Sequence, residues 1–355
     1  MASILPAIRK PAVPPKAAAA LLGLKLPYDW QVTEKLKAAP GATGGNFSVG
    51  YIVEKDGRRA FLKALDYSRA LRSSDPARAL QALTEAYNFE RDILAKCRGM
   101  SRVVTAIADG SVTVNISGTP EVVQYLILER ADGDARSFLN ASASFDMAWA
   151  LRSLHHIAIG LRQMHQENMA HQDLKPSNVL IFGKNSSKIG DVGRAWYKGS
   201  VSPHEGLACA GDPAYAPPES LYGHADPDSN ARRMGCDCYL LGSMVLFFFT
   251  NVAATPAILA KMLPSHHPTR WRDAYARVLP FVRDAFDRVA IEFSNSLSPD
   301  LRKDLPTIFR QLCDPDPRLR GHPADRASIG NSYSLLRYEG KFNTLAGKAE
   351  FKLIN

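Results

Sequence analysis

His171-Gln172-Asp173-Leu174-Lys175-Pro176-Ser177-Asn178 sets an acid, a Lys two residues on and an amide five residues on between two apolar runs, 157–164 before and 179–182 after. Lys188-Ile189-Gly190-Asp191-Val192-Gly193 follows, a short strand pattern ending in a second acid thirteen residues past Asn178. Two short strands joined by a turn at 183–187 bring Asn178 and Asp191 back to one mouth. These residue types suit phosphoryl transfer. One carboxylate accepts the proton of the attacking hydroxyl, a Lys neutralises the moving phosphoryl group, and an amide oxygen with a second carboxylate holds Mg²⁺.

The chain around this stretch has 355 residues, enough to bury a large core and to form two domains. Hydrophobic residues make up 46% and charged residues 22%, the balance of a soluble globular protein. The formal charge of +9 favours acidic partners. The Lys and Arg are scattered, with no run of five, so the charge reads as generic solubility charge and no nucleic-acid motif stands out. Five Cys, at 97, 209, 236, 238 and 313, lack the even count and close spacing of a disulfide framework, and Cys236 and Cys238 have no partner pair for zinc. Reduced thiols in a cytoplasmic protein are expected. The apolar stretch 17–24 is too short for a signal peptide and lies behind a proline-rich lead. The tempting membrane span, 239–263, carries Asn251 and Pro256 and follows Asp237, so a buried helix is expected there instead.

Residues 1–28 are rich in Pro and Ala and read as an arm. Strands follow over 30–37 and 47–54 and, after the Asp56-Gly57 of a tight hairpin, over 59–65. Gly41, Gly44 and Gly45 ahead of Phe47 suit a loop whose backbone N–H groups approach phosphates. Lys63 inside an apolar strand needs an acidic partner. The next helix, opened by Asp75 and Pro76, offers Glu85 and Glu90. Strands over 103–114 and 121–129 complete a five-stranded sheet, and a helix over 145–167 delivers the chain to His171. The Gly- and Pro-rich stretch 194–218 has the length of a functional loop. Apolar residues at helical intervals over 334–354 predict a terminal helix packed on the body.

Together these residues resemble the eukaryotic-type protein kinase family. H-Q-D-L-K-P-S-N stands for its H-R-D-L-K-P-x-N, D-V-G for D-F-G, and Ala60-Phe61-Leu62-Lys63 for V-A-I-K. Residues 211–219 look like G-T-P-x-Y-x-A-P-E, and Asp237-Cys238-Tyr239-Leu240-Leu241-Gly242 like D-x-W-S-L-G. The likeness covers 30–330 and implies an α+β, bilobal fold. It has a lobe at 29–130 with a five-stranded antiparallel sheet and one long helix, a mainly helical lobe at 131–330, and a helical tail at 331–355. The resemblance implies Asp173, Lys175 and Asn178 as catalytic residues and Asn178 and Asp191 as Mg²⁺ ligands. It implies Gly44, Gly45, Phe47, Phe61, Lys63, Glu90, Leu128, Glu129, Ala131 and Asp191 as the residues around ATP. Glu90, just ahead of Ile93-Leu94, has the family's spacing for the partner of Lys63, and either Arg318 or Arg320 pairs with Glu219.

Four departures mark the chain. Gln172 stands where many members carry the Arg that binds a phosphorylated activation loop, and a neutral amide does not clamp a phosphate. Val192 replaces Phe, and Asp212 replaces a Thr beside the catalytic Asp. Phe61 replaces a small Ala, while Gly50 stands where a larger residue faces it. Large and small have changed places, so Phe61 is expected to lean into the space at Gly50. The resemblance implies an ATP- and Mg²⁺-dependent Ser/Thr protein kinase acting on a protein substrate, without dependence on activation-loop phosphorylation. The alternative is a pseudokinase, a nucleotide-binding or scaffolding module.

Overall fold

The computed structural model describes residues 16–37, 47–142, 144–207, 209–328 and 332–354. They divide into two compact units, one within 1–84 and 106–129 and the other within 85–105 and 130–355.

The first unit is an antiparallel sheet of five strands: β1 (Gln31–Lys35), β2 (Ser48–Lys55), β3 (Arg58–Leu65), β4 (Ala106–Ile116) and β5 (Thr119–Glu129), in the order β1-β2-β3-β5-β4. Asp56 and Gly57 both take positive φ, +48° and +74°, the turn that matches the twist of a two-residue hairpin. Strand β4 starts at Ala106, three residues later than its apolar run predicts. Val103 instead forms a parallel bridge to Ile189, and Val104 donates its N–H to the Ile189 carbonyl at 2.8 Å, both within the second unit.

Alternation gives the sheet two faces. One carries Tyr51, Val53, Ala60, Leu62, Ala64, Val123, Tyr125 and Ile127. The stretch that reads as an arm packs on this face from residue 17 onward, with Ala17, Ala18, Leu21 and Leu26 buried in the same cluster. The Tyr51 hydroxyl fastens it by donating to the Ala18 carbonyl at 2.7 Å, and Lys16 pairs with Asp66 at 3.0 Å. The opposite face carries Gly50, Phe61, Lys63, Leu126 and Leu128.

Helix α1 (Pro76–Lys96) begins where Asp75 predicts, with its Oδ1 accepting from Arg78 N at 3.1 Å. The unit boundary falls inside it, between Thr84 and Glu85. The second unit continues with β6 (Gly133–Asp134), α2 (Ala135–Ala141) and α3 (Met147–Gln166), the last capped by Asp146 accepting from Trp149 N at 2.9 Å. Strands β7 (Met169–Ala170), β8 (Val179–Phe182), β9 (Ser186–Ile189) and β10 (Trp196–Tyr197) form two small sheets, β6-β8-β9 and β7-β10. Then come α4 (Pro218–Leu221), α5 (Ser229–Thr250), α6 (Ala254–Leu259), α7 (Tyr275–Ser296), α8 (Asp304–Leu312), α9 (Pro323–Arg326) and α10 (Leu336–Ile354). Helix α5 is apolar nearly all round because it is buried nearly all round, and it stops at Asn251 in the left-handed conformation. Among the described residues no helix is long and apolar enough to cross a membrane. Helix α10 packs on α3, where Arg152 holds the Glu350 carboxylate through two bonds of 2.8 and 2.7 Å and Arg162 pairs with Glu339.

His156 of α3 is buried, and its Nδ1 accepts from Ser187 N at 3.3 Å. Burial, with Arg102, His155 and Arg152 nearby, pushes its pKa down to about 3 from the ordinary 6.5. The folded protein therefore holds it neutral while the unfolded chain protonates it. Stability present above pH 6.5 is lost as pH falls towards 3, by about 2 kcal/mol between neutral pH and pH 5 from this residue alone. Denaturant unfolding of His156→Leu at the two pH values should show a correspondingly shallower loss; an unchanged pH dependence would contradict the assignment.

Candidate active site

In the second unit, the stretch 171–178 is held from below by Asp237, which is fully buried on α5. Its Oδ2 accepts from His171 N at 2.8 Å and contacts His165 Nε2 at 2.9 Å, and its Oδ1 accepts from Gln172 N at 2.8 Å. This anchorage lets Gln172 keep a left-handed φ of +61°, which turns the chain so that Asp173 faces the mouth. The His171 ring is a second brace. Its Nδ1 accepts from Asp173 N at 3.3 Å, leaving Nε2 to donate to the Gly190 carbonyl at 3.0 Å.

Asp173 is 6% exposed, and each carboxylate oxygen is spoken for. Oδ1 accepts from Asp212 N at 2.8 Å; Oδ2 takes Asn178 Nδ2 at 3.2 Å and Lys175 Nζ at 3.3 Å. Burial raises its pKa above the ordinary carboxylate value; Lys175 pulls the other way and the charge of Asp191 adds to the rise. Lys175 lies between two acids, since Asp212 Oδ2 stands 3.4 Å from its Nζ. Asp212 thus links to both Asp173 and Lys175, through its N–H and its carboxylate. Gly211 is obligatory here: a Cβ would sit 2.3 Å from the Gln172 carbonyl oxygen and 2.8 Å from Asp173 Oδ1.

Asn178 spends its amide nitrogen on the Asp173 carbonyl, at 2.8 Å, as well as on the Asp173 carboxylate. Among the described residues only Ser177 Oγ, at 3.5 Å, approaches its Oδ1. Gly190 N donates to the Asn178 carbonyl at 2.8 Å, tying the two halves of the hairpin so that Asp191 follows directly, at a left-handed φ of +57°. An amide oxygen and a carboxylate are hard donors of the kind Mg²⁺ takes alongside waters and phosphate oxygens. The residues fit that ion. No cage of three or more His, Cys, Asp or Glu exists among the described residues. Val192 is buried, and a Cβ on Gly193 would lie 3.4 Å from Glu90 Oε2. Glu90 is buried and Glu85 is exposed.

In the first unit the β2–β3 and β3–β5 registers place Lys63 opposite Gly50 and Leu126, and Phe61 opposite Leu128. A Cβ on Gly50 would stand 3.0 Å from Phe61 Cε2, so the Phe61 ring lies over Gly50 as the exchange of large and small residues predicts. Phe47 lies next to β2 and is about half exposed, with the Arg69 guanidinium 5.9 Å from its ring centre. Glu129 ends β5, while Ala131 belongs to the second unit, ahead of β6. Gly44 and Gly45 lie outside the described residues.

Arg320, not Arg318, pairs with Glu219, through Nη1–Oε1 at 2.5 Å and Nη2–Oε2 at 2.6 Å. Arg318 turns to Asp316. Sequence reasoning missed two participants altogether. Arg233 of α5 donates to Gln172 Oε1 at 2.8 Å and pairs with Glu205 at 2.6 Å. Each looks like a surface charge in the sequence, and no local signal joins them.

The family described as "Protein kinase domain" matches residues 44–323. The chain is 35% identical over 117 residues, 32% of its length, to Aurora/IPL1-related protein kinase 2 of Caenorhabditis briggsae. It is 32% identical over 108 residues, 27% of its length, to serine/threonine-protein kinase PTK2 of Candida glabrata, and 27% identical over 197 residues, 54% of its length, to beta-adrenergic receptor kinase 1 of Homo sapiens. The chain spans 38%, 14% and 24% of these relatives' own lengths.

Proposed function

This chain belongs to the protein kinase family, and we propose that it is a working member, transferring the γ-phosphoryl group of ATP to Ser and Thr hydroxyls of proteins without phosphorylation of its own loop. The observation that carries this reading is the fully bonded cluster of Asp173, Lys175, Asn178 and Asp212. A chain that had abandoned catalysis would be free to lose Asp173 or Lys175, yet both are present, buried and paired.

Asp173 accepts the proton of the acceptor hydroxyl while the new O–P bond forms at the γ-phosphorus. The bond to the β–γ bridging oxygen breaks, and ADP leaves with that electron pair. Lys175 supplies positive charge beside the transferred group, and Asp212 holds its ammonium in place. Asn178 Oδ1 and the Asp191 carboxylate would hold Mg²⁺, which supplies charge neutralisation on the phosphates when bound. In the first unit, Lys63 and the face of Phe61 and Leu128 serve the nucleotide, as the family resemblance implies. The five cysteines stand unbridged, which supports a cytoplasmic setting.

Loop independence is supported by the neutral Gln172 and by the place of the hydroxyls: Ser202 is buried and Ser200 Oγ is turned onto the Tyr197 carbonyl at 3.1 Å. Protein treated with phosphatase should phosphorylate a generic protein at a rate within about twofold of untreated protein. Phosphoamino-acid analysis should find the label on Ser and Thr. A large loss on treatment, restored by phosphate at Ser200, would defeat loop independence; label on Tyr alone would defeat the acceptor assignment.

The exchange at Gly50 and Phe61 has its own test. Gly50→Val drives methyl groups into the Phe61 ring and should weaken ATP binding about tenfold, whereas Gly50→Val with Phe61→Ala should restore it, as calorimetric titration would show. Equal losses in the single and double variants would contradict the exchange.

A further inference from the structure

Arg233 lies in the first turns of α5, 5% exposed, and its guanidinium joins two stretches of chain. Nη2 meets Glu205 Oε1 at 2.6 Å, and Nη1 donates to Gln172 Oε1 at 2.8 Å. Among the described residues Nε has no partner, so its pairing with a carboxylate rests on Glu205. Gln172 passes the contact on. Its side-chain amide donates to the Arg194 carbonyl at 3.3 Å, and the next residue is Asp173. Arg194 in turn reaches His204 Nδ1 at 2.8 Å, which closes the ring of contacts one residue from Glu205.

A buried guanidinium without a counter-ion is costly, so the loop cannot lift Glu205 away without stranding Arg233. One guanidinium is balanced by one carboxylate charge, and a phosphate would overcharge it. We propose that Glu205 and Arg233 are positioning residues for the reaction: the carboxylate is the permanent charge that seats the loop after Asp191 against Gln172 and so fixes Asp173. This deepens the kinase reading above and rests on it.

The cavity beside the pair, about 340 Å³ and lined by Gln172, Glu205, Arg232 and Arg233 among others, leaves room for a small anion once the Glu205 side chain is removed. That gives a readout that a merely structural role would not move. Glu205→Ala and Arg233→Met should each lower kcat about tenfold or more with KM for ATP changed less than about threefold. Added acetate should restore part of the turnover of Glu205→Ala and none of Arg233→Met. Amide hydrogen exchange over 201–212 should speed up in both variants and slow again in Glu205→Ala with acetate. Should Glu205→Ala fail to fold, Glu205→Gln, which keeps the shape and loses the charge, carries the same expectation for kcat and exchange. Wild-type turnover and exchange in the Glu205 variants would overturn the proposal, as would a loss that acetate does not reverse. Absence of turnover in the wild type would instead overturn the kinase reading, and the exchange measurement would still decide the clamp.

Discussion

Asp173→Asn is expected to lower turnover by about 10²- to 10⁴-fold while Mg·ATP binding stays nearly intact. The amide keeps the shape of the carboxylate, and its oxygen still accepts from Asp212 N, so the loop should remain in place. What it loses is the ability to take a proton, together with the Oδ2 acceptor that Asn178 Nδ2 and Lys175 Nζ share. Lys175 keeps one of its two acids, Asp212. Asp191→Asn differs in kind: in the proposed reading it removes a charge that would hold the metal, so both metal-dependent nucleotide binding and rate should fall. Transfer assays paired with nucleotide titration separate the two. Wild-type turnover in both variants would end the assignment, and loss of nucleotide binding in Asp173→Asn would deny that residue its role as base.

The second large effect concerns stability. Removing either member of the Glu219–Arg320 pair should cost about 3–5 kcal/mol, because the remaining charge is left buried and unpaired. Arg320 is fully buried, its Nε donates to the Asp314 carbonyl at 2.8 Å, and its guanidinium lies 5.0 Å from the centre of the Tyr239 ring. Burial opposes its charge, yet Glu219 raises its pKa above the ordinary Arg value overall. Glu219→Ala and Arg320→Ala should therefore unfold at much lower urea, whereas Glu219→Leu with Arg320→Met should recover part of the loss. Single variants with the wild-type midpoint would show that the pair contributes nothing net.

Local signals in the sequence predicted local structure well. Asp75 does cap its helix, and Asp56-Gly57 does make the hairpin turn, because each acts within a few residues. The acid, Lys and amide of 173–178 fall together for the same reason. What the sequence concealed depends on contacts between distant stretches. Glu205 and Arg233 are 28 residues apart and meet only when the loop is laid on α5. Arg318 and Arg320 fit one pattern, and the single turn of helix at Pro317–Leu319 decides between them by pointing the first outward and the second inward. The Pro- and Ala-rich composition of the start hid Leu21 and Leu26, whose burial with Ala17 and Ala18 joins this stretch to the sheet's core. At Val103 the apolar run reads as continuous strand, although its first residues pair with Ile189 instead.

The most direct test of the central claim is to titrate the wild type with Mg·ATP and, in the same preparation, to follow labelled γ-phosphate onto a generic protein acceptor. The bonded cluster around Asp173 and the Phe61 ring lying over Gly50 predict both saturable binding at or below millimolar ATP and label on the acceptor. No binding in the wild type, with binding gained in Phe61→Ala, or binding without any transfer of label, would contradict the account and leave a pseudokinase in its place.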